Sequence, residues 1–246
     1  MSIKENLERV RQNIAHAAMK AGKRPEDITL VMATKTVDAE RIREAIREGE
    51  HRIGENRVQE ALKKYQVLKN EDAEWHFIGH LQTNKVKDVL KFASMIHSVD
   101  RLSLVEKLDQ RLQYEGRSVN ILIQVNTSHE ESKYGVAPEE AVSLVKQTAK
   151  YDTLKIRGLM TIGLFTKDEE KIRKCFKILK GVHDTLIKED IGGVQMKYLS
   201  MGMSGDYQIA IEEGGNMVRI GTAIFGARNT PDAYYWPSEK TGIDKG

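Results

Sequence analysis

The chain has little that would tie it covalently or interrupt it. One cysteine in 246 residues excludes an internal disulfide and suits a reducing compartment. That residue, Cys175, falls in Ile172-x-x-Cys175-Phe176-x-x-Leu179, the apolar face of a helix, and is read as core packing rather than as a nucleophile. Charge of one sign is also lacking. Thirty-nine basic against 36 acidic residues leave a net +3, and the signs alternate along helices instead of forming a basic block, which argues against nucleic acid as a partner. No apolar run approaches the roughly 18 residues of a membrane span, and the opening MSIKENLERV is not a signal peptide. The expectation is a cytoplasmic chain with no membrane partner. No histidine, cysteine or carboxylate cluster has metal-ligand spacing. A G-x-G-x-x-G after the first strand is missing, which speaks against a dinucleotide fold. No serine has a histidine-and-acid arrangement that suggests a hydrolase, and nothing reads as a linker or low-complexity tract.

What is present is an alternation. Ile3, Leu7, Val10, Ile14, Ala17 and Ala21 recur at helical spacing, and Gly22 stops that first helix. The apolar run from Ile28 to Ala33 follows and ends in Thr34-Lys35-Thr36; Asp38 then caps a helix carrying Ile42, Ala45 and Ile46. The same unit repeats along the chain. Strand candidates fall at His51–Gly54, Trp75–Ile78, Met95–Ser98, Val119–Val125, Ile156–Ile162, Tyr198–Leu199 and Met217–Arg219, with amphipathic helices between nearly all of them. One of those helices is expected from about Asn84 to Phe92, another opens on Pro138, and a short one covers Tyr207–Ile211. Continuous apolar strands separated by amphipathic helices mean a parallel sheet covered by helices. About eight units favour a single closed (β/α)₈ barrel with an extra N-terminal helix over an open, doubly wound sheet. The barrel is placed at residues 1–228 and a polar, aromatic tail at 229–246.

In such a barrel the residues just after each strand line one mouth, and phosphate sites fall after strands seven and eight. Here that stretch is Leu199–Gly226, in which Ser200, Ser204, Gly221 and Thr222 offer hydroxyls and closely approachable backbone N–H groups. Glycines after barrel strands also serve simply as turns. Lys35 stands at the end of the first strand, and desolvation there would make its amine nucleophilic toward aldehydes. An imine-forming lysine facing a phosphate site describes either pyridoxal phosphate or a phosphorylated sugar. Arg219, ending the last strand, can only donate hydrogen bonds into that pocket. His80 is either a structural residue at a helix entry or a ligand contact. Glu55 is either a pocket acid or a helix-start carboxylate, and Asn56 either a pocket residue or a helix cap.

Six ordered motifs then carry a resemblance. They are Met32–Thr36 (MATKT), Gly54–Glu60 (GENRVQE), Trp75–Lys85 (WHFIGHLQTNK), Gly158–Thr161 (GLMT), Leu199–Ser204 (LSMGMS) and Val218–Gly226 (VRIGTAIFG). Together they resemble the pyridoxal phosphate homeostasis protein family, from the first helix to about Arg228. The resemblance implies a single-domain barrel similar to the N-terminal domain of alanine racemase. It implies that Lys35 carries pyridoxal 5'-phosphate as an internal aldimine, that Ser200, Ser204, Gly221 and Thr222 contact the phosphate, and that Arg219 faces the pyridine nitrogen. Asn56, Ile78, His80 and Met201 would line the ring. One departure is local. Many members carry a second lysine two residues after the first, where this chain has Val37, which puts a cofactor-transfer role for that position in doubt.

Whether such a protein would catalyse anything turns on two groups. Pyridoxal phosphate is an electron sink when its ring nitrogen is protonated, and an arginine opposite that nitrogen weakens the sink. Racemases with such an arginine need a second acid/base, a tyrosine from a C-terminal β domain, for which about 20 residues after the last strand leave no room. Tyr234 and Tyr235 lie in the tail, with nothing to place them over a cofactor. The expectation is therefore a non-catalytic binder in vitamin B6 homeostasis, a monomer with pyridoxal-phosphate-dependent apo-enzymes as partners. The alternatives are a racemase-like amino-acid enzyme and a Schiff-base aldolase.

Overall fold

The computed structural model describes residues 2–130 and 132–227; the tail, with Tyr234 and Tyr235, lies outside them. Among the described residues eight parallel strands close into a barrel in sequence order. They are β1 (Thr29–Ala33), β2 (Arg52–Glu55), β3 (Glu74–Phe77), β4 (Met95–Val99), β5 (Val119–Gln124), β6 (Leu154–Met160), β7 (Tyr198–Ser200) and β8 (Met217–Ile220). Closure is made by β8 lying against β1, with Leu30 opposite Val218 and Met32 opposite Ile220. Parallel neighbours need long crossovers, and helices supply them: α2 (Ala39–Arg47), α3 (Val58–Leu68), α4 (Val86–Val89), α5 (Leu102–Glu115), α6 (Pro138–Thr148), α7 (Glu169–Glu189) and α8 (Tyr207–Glu212). The N-terminal α1 (Ile3–Lys20) precedes the barrel, and one turn, α9 (Thr222–Phe225), follows the last strand.

The local rules read from the sequence operate at the helix ends. Asp38 accepts the Arg41 backbone N–H at 2.9 Å, Asp168 accepts from Glu170 and Lys171, and Pro138 opens α6. Ser2 and Glu5 form a reciprocal capping box on α1. The helix expected over 84–92 is shorter: a 3₁₀ turn (Thr83–Lys85) leads into the single turn α4. Val86, Val89, Leu90 and Ala93 are buried at helical spacing, but the chain leaves the helix at Leu90 and continues in a turn through Phe92.

The main core lies between the strands and the helices, and Cys175, on α7, is buried. Inside the barrel Val31, Met95, Leu122, Met160 and Met217 form a separate small cluster. Side chains on a strand alternate in direction, so the residues two along from that cluster also face inward. Several of these are polar: His97 follows Met95, Arg219 follows Met217, and His76 and Ser200 are buried beside them.

Helix α1 packs on the last described helices, α8 and α9. Asn6 donates to the Ile224 carbonyl at 2.9 Å, and Asn13 donates to the Tyr207 hydroxyl at 3.0 Å. The segment that follows β7 and β8 is thereby held from behind.

Candidate functional site

Lys35 stands two residues past the end of β1 and is buried, 8% exposed. The backbone on either side of it is fastened by α3. The Lys64 ammonium donates to the Thr34 carbonyl at 2.7 Å and also binds Glu55 (2.7 Å) and Glu60 (2.6 Å). The Thr34 hydroxyl donates to Glu55 at 2.5 Å, and the Thr36 N–H donates to Glu60 at 2.7 Å. Thr36 itself has φ +65°, a left-handed conformation that a β-branched residue adopts only under constraint. The strain sits at the residue after the lysine, and the Lys64–Glu55–Glu60 cluster is what holds it.

Glu55 therefore takes neither of the roles open to it in the sequence. It is the last residue of β2, wholly buried, and pairs with Lys64 behind the mouth. Burial pushes its carboxyl above the usual range, against the pull of the Lys64 ammonium. Asn56 is not a cap either; Arg57 occupies the N-cap of α3, and Asn56 faces the mouth.

The strand next to β1, β8, brings in Arg219, 4% exposed. One guanidinium nitrogen donates to Ser200 Oγ and the other to the Thr161 carbonyl, both at 2.7 Å. Burial pulls its pKa down to about 10, with the Asp206 carboxylate opposing, so it stays charged at neutral pH. Asp206 is itself raised by burial and accepts the Met203 N–H at 2.6 Å. Beyond β8 the backbone N–H groups of Gly221 and Ala223 converge on Ser204 Oγ, each at 3.2 Å.

These parts enclose a cavity of about 470 Å³, within the size range of small-molecule sites. Lys35, Asn56, Ile78, Ser204, Arg219, Gly221 and Thr222 all line it. A smaller cavity of about 290 Å³ lies on the other side of Lys35, bordered by Val37 and Arg41. Three candidates fall outside both linings. Met201 is fully buried in the main core. His80 stacks on Tyr134 with ring centroids 3.6 Å apart, and burial lowers its pKa despite Asp100 at 3.9 Å. Ser200 is fully buried, its hydroxyl occupied by Arg219 and by His97 Nδ1 at 3.2 Å. Conversely, the loop after β6 supplies a wall that went unread: Ile162, Leu164, Phe165, Thr166 and Lys167. Phe165, 63% exposed with the Lys133 ammonium 5.1 Å over its ring, was the one visible signal there, an aromatic residue in a polar loop.

The eight-stranded parallel barrel is that of the alanine racemase N-terminal domain. The family model described as "Alanine racemase, N-terminal domain" matches residues 6–229. The alanine racemase of Clostridium difficile superposes with a TM-score of 0.73 at 17% identity, covering 94% of this chain and 58% of the racemase, a likeness of fold alone. Nearer relatives are more specific. The Pyridoxal phosphate homeostasis protein of Aquifex aeolicus is 44% identical over 228 residues, 93% of this chain and 99% of the relative. Its namesake in Escherichia coli is 40% identical over 235 residues, 92% of this chain and 97% of the relative. PipY of Synechococcus elongatus, whose structure has pyridoxal phosphate bound, superposes with a TM-score of 0.81 at 31% identity, covering 92% of this chain and all of PipY. The chain belongs to the pyridoxal phosphate homeostasis protein family.

Proposed function

We propose that the protein binds pyridoxal phosphate at this cavity, with Lys35 as the amine that holds its aldehyde, and that it stores and hands on the cofactor without turning over amino acids. The observation that carries the reading is one cavity bordered by both Lys35 and the buried Arg219. The donor set fits the group. Two backbone N–H groups already converge on the Ser204 hydroxyl, so Ser204, Gly221 and Thr222 supply a phosphate anchor. Asn56 and Ile78, which follow β2 and β3, line the same cavity. Lys35 would supply the amine that holds the aldehyde, a group that otherwise reacts with the amines of other proteins.

When bound, the cofactor supplies an electron sink whose strength depends on a protonated ring nitrogen. Arg219 is a donor with no lone pair to accept, and its charge disfavours a second positive charge beside it. Facing the ring nitrogen, the Arg219 guanidinium would hold it unprotonated and weaken the sink. The names of the relatives and the cofactor in PipY support the same reading. The protein would act as a monomer in the cytoplasm, with pyridoxal-phosphate-dependent apo-enzymes as recipients. Among the described residues no helix is long and apolar enough to cross a membrane, and no group of three potential metal ligands comes together.

Two measurements test this. In Lys35→Ala, borohydride should fix no cofactor to the protein, while phosphate-anchored binding persists at lower affinity. In wild type supplied with cofactor and alanine in D₂O, Cα exchange should not exceed that of free pyridoxal phosphate. Faster exchange would make the protein an enzyme and defeat the storage reading.

A further inference from the structure

Behind Arg219 the barrel interior holds a line of buried polar groups that the cofactor reading does not use. Arg219 Nη1 lies 2.7 Å from Ser200 Oγ, which lies 3.2 Å from His97 Nδ1. His97 Nε2 is 2.9 Å from His76 Nδ1. His76 Nε2 lies 3.1 Å from a carboxylate oxygen of Glu74, in ion-pair range but off the ring N–H direction. Glu74 is the first residue of β3, its side chain 42% exposed and within 3.4 Å of Arg52. Four strands contribute: β3, β4, β7 and β8. The line runs from the cavity through the barrel to the starting end of β3.

Its direction follows from counting protons. A guanidinium only donates, so Ser200 Oγ must accept from Arg219. The Ser200 hydroxyl proton then has one neighbour able to take it, His97 Nδ1. His97 must carry its own proton on Nε2 and donate to His76 Nδ1, which leaves the His76 proton on Nε2, toward Glu74. Reversing the line would leave the Ser200 proton with no acceptor in a fully buried place and turn a His76 lone pair toward a carboxylate. Both faults cost free energy in a low-dielectric interior. Protonating His97 is opposed by burial, then by His76 and Arg219.

We infer that Ser200, His97 and His76 form a one-way hydrogen-bond line, ending at Glu74, that fixes the Arg219 guanidinium against the cavity. Ser200 and His97 are thus positioning residues for Arg219. The hydroxyl of Ser200 is spent on this line and is not a phosphate ligand, the role the resemblance implies for it. The assignment of Arg219 to the cofactor ring rests on the proposed function; the line itself does not.

Two experiments test the inference separately from that function. In cofactor-free protein, ¹⁵N–¹H NMR of the histidine rings should find the protons of His97 and His76 on Nε2 and not on Nδ1. A proton on Nδ1 of either ring overturns the line. In cofactor-loaded protein, Ser200→Ala should release cofactor about tenfold faster, the scale of a hydrogen bond to a charged group. It should shift the visible absorption in the same direction as Arg219→Ala, and Ser200→Thr should restore both. The double variant should be no worse than Arg219→Ala alone. Additive losses, or a moved ³¹P signal of the bound phosphate with unchanged absorption in Ser200→Ala, would return Ser200 to the phosphate and overturn the proposal. Absence of any wild-type chromophore would defeat the cofactor reading while leaving the NMR result to stand or fall by itself.

Discussion

Lys64→Met should destabilise the protein by about 3–5 kcal/mol, the cost of removing one partner from a buried ion pair, and should also slow covalent capture of cofactor at Lys35. The first effect arises because Glu55 is wholly buried, one of its oxygens already lacks a hydrogen-bond partner, and the Lys64 ammonium offsets its charge. Without Lys64 the carboxyl must protonate or bring water in. The second arises because Lys64 also holds the Thr34 carbonyl and Glu60, which in turn holds the Thr36 N–H. Those contacts keep Thr36 left-handed and Lys35 in place. A double variant, Glu55→Leu with Lys64→Met, separates the two effects. Well-packed apolar pairs replace buried ion pairs at little cost, so stability should largely return while capture stays slow. Denaturant unfolding reads the first quantity, and the growth of visible absorption after adding pyridoxal phosphate reads the second. Wild-type capture in the double variant would show that α3 does not place Lys35.

Gly158→Ala should be comparably damaging, for reasons of backbone alone. Gly158, in β6, has φ +148°, and a Cβ built on it would lie 1.9 Å from the Tyr198 carbonyl oxygen and 2.8 Å from the Tyr198 nitrogen in β7. Both strands would have to move apart where they pair. Backbone strain of this kind and overpacking each cost roughly 1–3 kcal/mol, so about 3 kcal/mol or more is expected together. In a chain of this size that is a fall in Tm of roughly 6–12 °C. Calorimetry checks it, and an unchanged Tm would mean that the β6–β7 pairing is not as described. The site should suffer too, since β7 carries Ser200 and leads to Ser204.

The alternation of apolar runs and amphipathic helices made the barrel legible, because burial on both faces of a parallel strand leaves a continuous apolar signature. It failed where elements are short. Arg52–Glu55 is half charged and reads as a strand only through its place in the alternation, and its last residue, Glu55, slipped into the loop beyond. Lys35 and Arg219 were legible because each ends an apolar run, which places them at a mouth without any knowledge of their contacts. The His76–His97 pair was not. Its members are 21 residues apart and meet only because β3 and β4 are neighbours in the barrel. Ser200 shows the same limit differently. Its position on β7 was readable, but which atoms occupy its lone pairs and proton is decided by residues on three other strands. The wall from Ile162 to Lys167 offers only Phe165 as a signal, and its part in the cavity follows from the path of the chain.

The central claim is that Lys35 holds the cofactor's aldehyde. The most direct measurement is to load the purified protein with pyridoxal phosphate, reduce it with borohydride, digest it, and locate the modified residue by mass spectrometry. The account predicts a phosphopyridoxyl group on Lys35. A protein that acquires none, or acquires it on another lysine while Lys35 stays unmodified, would contradict it.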